Sequence, residues 1–102
     1  MLHDRRLMNF IRDSVVERTE WALAARADQR DVWGQLAYDV ASFLELLWRG
    51  GALAGTTAAE AYGVRCDDLT NGGDYERVIC MRGMVALPTG GPVAFRVIWS
   101  LA

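Results

Sequence analysis

Two thiols, one imidazole and thirteen carboxylates are the groups in this 102-residue chain that could do covalent or acid–base chemistry. Cys66 and Cys80 are 14 positions apart, which fits neither a CxxC dithiol nor a zinc-ligand pair. The sole histidine, His3, stands next to a terminus expected to fray, so neither a triad nor a histidine-metal site is expected in the body of the fold. Asp67 and Asp68 are adjacent, so on an extended backbone they point to opposite sides instead of converging on a cation or substrate. The glycines at 50, 51, 55, 72, 73, 90 and 91 match neither GxGxxG nor GxxxxGK[ST] and read as helix stops and turns. The expectation is therefore a protein that is not an enzyme, with no metal, no cofactor and two buried free thiols. A redox role for Cys66 or Cys80 is the alternative. With no lysine in the chain, the activating group would have to be an arginine or a helix end.

Binding chemistry is equally sparse. Tyr62, Tyr75, Phe95 and Trp99 would suit base stacking if basic residues interleaved them, but Asp67, Asp68, Asp74 and Glu76 surround them instead. With a formal charge of −2, the chain is expected to bind neither nucleic acid nor an anionic membrane surface. Hydrophobic residues make up 52% of a chain this small, which favours apolar surface that meets a partner. No run reaches the ~20 apolar residues of a membrane span, and no secretory signal is seen, so a soluble protein made in the cytoplasm is expected.

A chain of this length has material for a single core, so residues 1–102 read as one domain. Its main anchor is the stretch over 29–49. Trp33, Leu36, Ala37, Val40, Phe43, Leu44, Leu47 and Trp48 recur at helical spacing, Asp28 can cap the start, and Gly50-Gly51 supplies the stop. A first helix is predicted over 4–19 with Asp4 as N-cap and Leu7, Phe10, Ile11, Ser14 and Val15 on one face. Arg5 and Arg6 sit where the helix dipole disfavours them, so they are candidate interfacial charges. Residues 21–25, WALAA, could extend the helix or form a strand, and a strand is favoured. Thr57-x-x-Glu60 has the form of a capping box opening a short helix over 57–62.

From Tyr62 the period switches to two. Strands are predicted over 62–69, 76–87 and 93–101, with the turn sequence Thr70 to Asp74 joining the first two and Pro88 to Pro92 breaking the chain before the third. The fold class is therefore α+β, with two main helices and a short third packed on one face of a small, mainly antiparallel sheet of three to four strands. The last strand alternates Val93, Phe95, Val97, Trp99 and Leu101 with Ala94, Arg96, Ile98 and Ser100. Only Arg96 guards it, so the strand is either central in its own sheet or paired with another molecule.

In order and spacing these pieces resemble the carboxyl-terminal domain of contractile-tail sheath proteins, found in myophages, R-type bacteriocins and extracellular contractile injection systems. The resemblance is carried by Arg5-Arg6-Leu7 with Phe10-Ile11 and Ser14, by Thr19-Glu20-Trp21 and by Trp33. It continues through Phe43-Leu44, Leu47-Trp48-Arg49, Gly51-Ala52-Leu53 and Gly55, then Thr57, Glu60-Ala61-Tyr62, Val64 and Cys66-Asp67, and ends on Pro88, Pro92 and Phe95-Arg96-Val97. It implies a structural protein that stacks in helical rings around an inner tube, with terminal arms adding strands to the sheets of neighbouring subunits. Val93, Phe95, Val97, Ile98, Trp99 and Leu101 become candidates for the inter-subunit strand. Gly51, Leu53, Gly55, Thr57 and Glu60 are candidates for the tube-facing segment, and Arg96 joins Arg5 and Arg6 as an interfacial charge. The implied partners are neighbouring sheath subunits, the inner tube protein, and the baseplate or tail terminator, in a particle assembled in the cytoplasm. A small stand-alone α+β binding module is the alternative reading.

Overall fold

A computed structural model describes residues 2–24, 29–67, 70–71 and 78–100. Its elements are α1 (Leu2–Arg18), α2 (Trp21–Ala24), α3 (Gln29–Arg49), α4 (Ala58–Ala61), β1 (Tyr62–Arg65), β2 (Val78–Leu87) and β3 (Gly91–Ser100). The fold is α+β, and the strands form one antiparallel sheet in the order β1-β2-β3.

The α3 helix forms because its apolar spacing matches the helical period. Val32, Leu36, Val40, Phe43 and Leu44 are buried along one stripe, and each such side chain contributes about 1.5–3 kcal/mol. Its end is a Schellman motif. Gly51 adopts φ 85°, the Gly51 amide donates to the Trp48 carbonyl, and the Ala52 amide donates to the Leu47 carbonyl. Both boundaries agree with those read from the sequence.

The first helix runs two residues earlier than expected at its start and ends one earlier. Its buried stripe is Met8, Ile11, Val15 and then Thr19, whereas Phe10 is 52% exposed. Phe10 instead leans on Phe43 from outside the core, the ring centroids being 6.2 Å apart. Asp4 lies inside the first turn, not at the cap. Its buried carboxylate accepts a hydrogen bond from the Thr89 hydroxyl, which ties α1 to the β2–β3 hairpin.

The segment expected as a strand over 21–25 is helical from Trp21 to Ala24. Alanine favours the helix, the Ala22 amide donates to the Thr19 carbonyl, and the Trp21 indole N–H donates to Asp39 Oδ2 at 3.2 Å. Asp39 also accepts from Arg18 at 3.1 Å, so one carboxylate of α3 holds the α1–α2 corner. The Asp28 cap lies outside the described residues.

The sheet covers the helices with one face. Ile79, Met81, Val85, Leu87, Phe95 and Trp99 are buried on it, and Val93 and Val97 are partly buried. On the opposite face Arg82, Ala94, Arg96 and Ile98 are exposed, with Cys80, Met84 and Ala86 half-buried. Opposite Phe95 stands Gly83, where a Cβ would come within 2.3 Å of the phenyl ring, so the ring occupies the space of the missing side chain.

Two strand boundaries differ from expectation. The third strand begins at Gly91, with Pro92 paired opposite Ala86, so the proline does not break the sheet. It lies in an edge strand, where a missing amide is tolerated. The first strand ends at Arg65, well short of 69. The Asn71 amide donates to the Asp67 carbonyl, and the Asn71 side chain takes over the ladder. Its Oδ1 accepts from the Cys80 amide at 2.6 Å, and its Nδ2 donates to the Cys80 carbonyl at 3.0 Å. A side-chain amide thus pairs with β2 where the next backbone peptide of β1 would have stood. The Gly72 to Asp74 part of the turn and positions 76 and 77 of the second expected strand lie outside the described residues.

Candidate functional site

Which main-chain groups of β3 are open follows from register. Antiparallel pairs alternate between those that exchange hydrogen bonds and those that do not. On β2, Cys80 gives both its main-chain groups to Asn71, and the Ala86 carbonyl accepts from the Ala54 amide at 2.9 Å. The even-numbered residues of β2 therefore face β1, and the odd-numbered ones bond to β3. Through the pairs Val85 with Val93, Gly83 with Phe95, Met81 with Val97 and Ile79 with Trp99, the odd residues of β3 turn their amides and carbonyls inward. Those of Ala94, Arg96 and Ile98 point outward. Among the described residues no strand pairs with that side, which makes β3 an open edge ten residues long.

The side chains of the strand candidates divide accordingly. Phe95 and Trp99 are buried in the chain's own core, Val93 and Val97 are partly buried, and Ile98 is 53% exposed. Leu101 lies outside the described residues. Trp99 is fixed by a buried hydrogen bond, its indole N–H donating to the Thr19 hydroxyl at 3.1 Å, and that hydroxyl donates to the Val15 carbonyl at 2.6 Å. The strand is therefore tied to the end of α1 from behind. Arg96, Arg5 and Arg6 are all exposed.

The segment from Gly51 to Glu60 is a tightly bonded loop. Leu53 is buried, while Gly51, Gly55, Thr57 and Glu60 are exposed. The Trp48 indole donates to the Gly55 carbonyl at 3.0 Å. Thr57 caps α4, its hydroxyl accepting from the Glu60 amide at 3.3 Å. The reciprocal half of the expected box is shifted by one residue, because Glu60 Oε2 accepts from the amide and the hydroxyl of Thr56 at 2.9 and 2.8 Å. Those bonds from Thr56 hold the Glu60 carboxyl below its ordinary value. The candidate tube-facing residues are thus brought together on one pre-organised loop, with the side chain of Leu53 as its anchor in the core.

The thiols are not equivalent: both are free, but Cys80 is only half-buried on the outer face of the sheet, short of the burial expected for the pair. Cys66 is buried, and burial pushes its pKa up to about 11, against a smaller opposing effect of the Asn71 side chain. A thiol in that state is a poor nucleophile at neutral pH. Among the described residues no three histidine, cysteine or acidic side chains gather as a metal-ligand set, and no helix is long and apolar enough to cross a membrane.

Comparison with protein-family models and with curated proteins finds no match.

The open edge of β3 has only a partial signature in the sequence. Its alternation and lone Arg96 are visible there. The parity that turns Ala94, Arg96 and Ile98 outward is not, because it depends on Asn71 and Ala54 occupying the far side of β2.

Proposed function

We propose that this chain is a structural subunit or domain of a contractile tail or injection-system sheath, in which the open edge of β3 receives a strand from a neighbouring copy. The observation that carries the proposal is the ten-residue edge of β3, unpaired among the described residues and braced by Phe95 and Trp99. A guest strand on that edge would bond to the outward groups of Ala94, Arg96 and Ile98, and main-chain hydrogen bonds would tolerate the sliding and rotation of whole subunits during contraction. The order and spacing of the sequence pieces set out above support the sheath in particular. In this reading the Gly51–Glu60 loop meets the inner tube, neighbouring subunits are the principal partner, and the baseplate or tail terminator closes the array. The particle assembles in the cytoplasm and works as part of a phage tail or phage-tail-like machine.

The experiment is negative-stain electron microscopy of the purified chain, alone and mixed with the inner-tube protein encoded beside it, with an Ile98→Pro variant as control. Proline at 98 removes an outward donor and spares the ladder to β2. Rings, tubes or tube decoration by the native chain, lost in a folded Ile98→Pro chain, is the expected result. Small undecorating particles even after the arm is supplied as a peptide would refute the proposal.

A further inference from the structure

The outer face of the sheet carries a row of three guanidinium groups. Register places Arg65 opposite Arg82 and Arg82 opposite Arg96, one arginine from each strand, and all three are exposed. Arg82 and Arg96 form the non-hydrogen-bonded kind of pair, the closer of the two, so the row spans about 10 Å at the backbone. Like charges directly opposite destabilise a sheet. Arg65 is relieved by Asp67 at 2.7 Å, whereas Arg82 and Arg96 have no ion pair among the described residues. Open depressions of about 350 and 340 Å³ lie on either side of Arg82, one shared with Arg96 and the other with Arg65.

The chain carries a complementary cluster on the opposite side of its fold. Asp13 and Glu17, one turn apart on the exposed face of α1, and Glu20 just beyond its end are exposed and have no ion pair among the described residues. They too repel one another in the isolated chain. At 1.5 Å per residue, Asp13 to Glu17 covers about 6 Å along the helix, within the length of the arginine row. Among the described residues the outer sheet face offers no aromatic residue for stacking a base, so carboxylates of a protein are favoured over nucleic acid as the occupant.

We infer that the exposed face of α1 carrying Asp13 and Glu17, from a second copy, docks across the strands on the Arg65–Arg82–Arg96 row, a head-to-tail contact between copies of this chain; Arg18 in its last turn is already paired with Asp39. Two clusters that each cost the single chain energy neutralise each other, and arginine forks suit bidentate pairing with carboxylates. Because donor and acceptor surfaces differ, the contact propagates from copy to copy instead of closing a twofold dimer. It uses the face of the sheet, whereas the strand addition proposed above uses its edge, and neither requires the other.

The test is sedimentation velocity on the native chain, on Arg82→Glu/Arg96→Glu, on Asp13→Arg/Glu17→Arg, and on an equimolar mixture of the two variants, with circular dichroism confirming that each is folded. The native chain should self-associate and be weakened by salt. Each variant alone should associate at least about tenfold more weakly, and the mixture should recover association. A monomeric native chain, or a mixture that stays apart, would overturn the inference. So would weakened association in the arginine variant with the Asp13→Arg/Glu17→Arg variant associating as the native chain does, since the row would then meet some other acidic surface. The Ile98→Pro chain should retain this association, which separates failure of the face contact from failure of the edge.

Discussion

The indole of Trp99, one residue before the end of β3, donates a buried hydrogen bond of 3.1 Å to the hydroxyl of Thr19, at the end of α1. The same hydroxyl reaches back to the Val15 carbonyl, so the first and last elements of the fold are joined through one oxygen. Thr19→Val should leave the indole N–H and its buried surroundings unsatisfied and cost about 1–3 kcal/mol. Trp99→Phe, which removes the donor, should cost less from the hydrogen bond itself, about 0.5–1.5 kcal/mol, in addition to lost packing. The double variant measured in urea should fall short of the sum of the singles, and full additivity would show that the pair is not coupled.

At the centre of the sheet, Gly83 has its side-chain space filled by the Phe95 ring. Gly83→Ala should therefore destabilise the fold by about 1–3 kcal/mol through overpacking, although alanine is ordinarily as good in a strand as glycine or better. Adding Phe95→Leu should recover part of that loss in thermal unfolding. An unchanged midpoint for Gly83→Ala alone would mean that the ring has somewhere else to go.

For Cys66, burial raises the pKa from its ordinary value of 9.0 to about 11, so the folded chain prefers the neutral thiol. Its contribution to stability is whole below about pH 9 and is lost as pH rises toward 11. Native-state labelling by a thiol reagent at neutral pH should be slow at Cys66, and a Cys66→Ala chain should lose less stability than the native chain between pH 9 and 11. Rapid labelling of Cys66 at neutral pH would contradict the buried placement.

Legibility from the sequence followed the strength of local signals. The α3 helix could be read to the residue because a long periodic stripe ends at Gly50-Gly51. Four residues of Trp-Ala-Leu-Ala carry no period, and what decides their helix is a bond from Trp21 to Asp39, 18 positions away. Phe10 looks like core by spacing, but the buried stripe runs through Met8, Ile11 and Val15 and leaves Phe10 at the rim. The early end of β1 was hidden because its alternation runs on while Asn71 supplies the pairing from a side chain. The arginine row could not be read from sequence at all. Arg65, Arg82 and Arg96 are far apart along the chain, and only strand register brings them into line.

The two edges of the sheet differ in what they offer a guest. On β1 the ladder is four residues long and Asn71 occupies its end, while on β3 it runs for ten. At about 0.5–1.5 kcal/mol for each net hydrogen bond, the longer ladder is the preferred side by a wide margin. Growth is thus one-sided. A guest strand on β3 presents its own outer edge next, so whether addition stops after one strand or runs on into a fibre is decided by the guest's sequence.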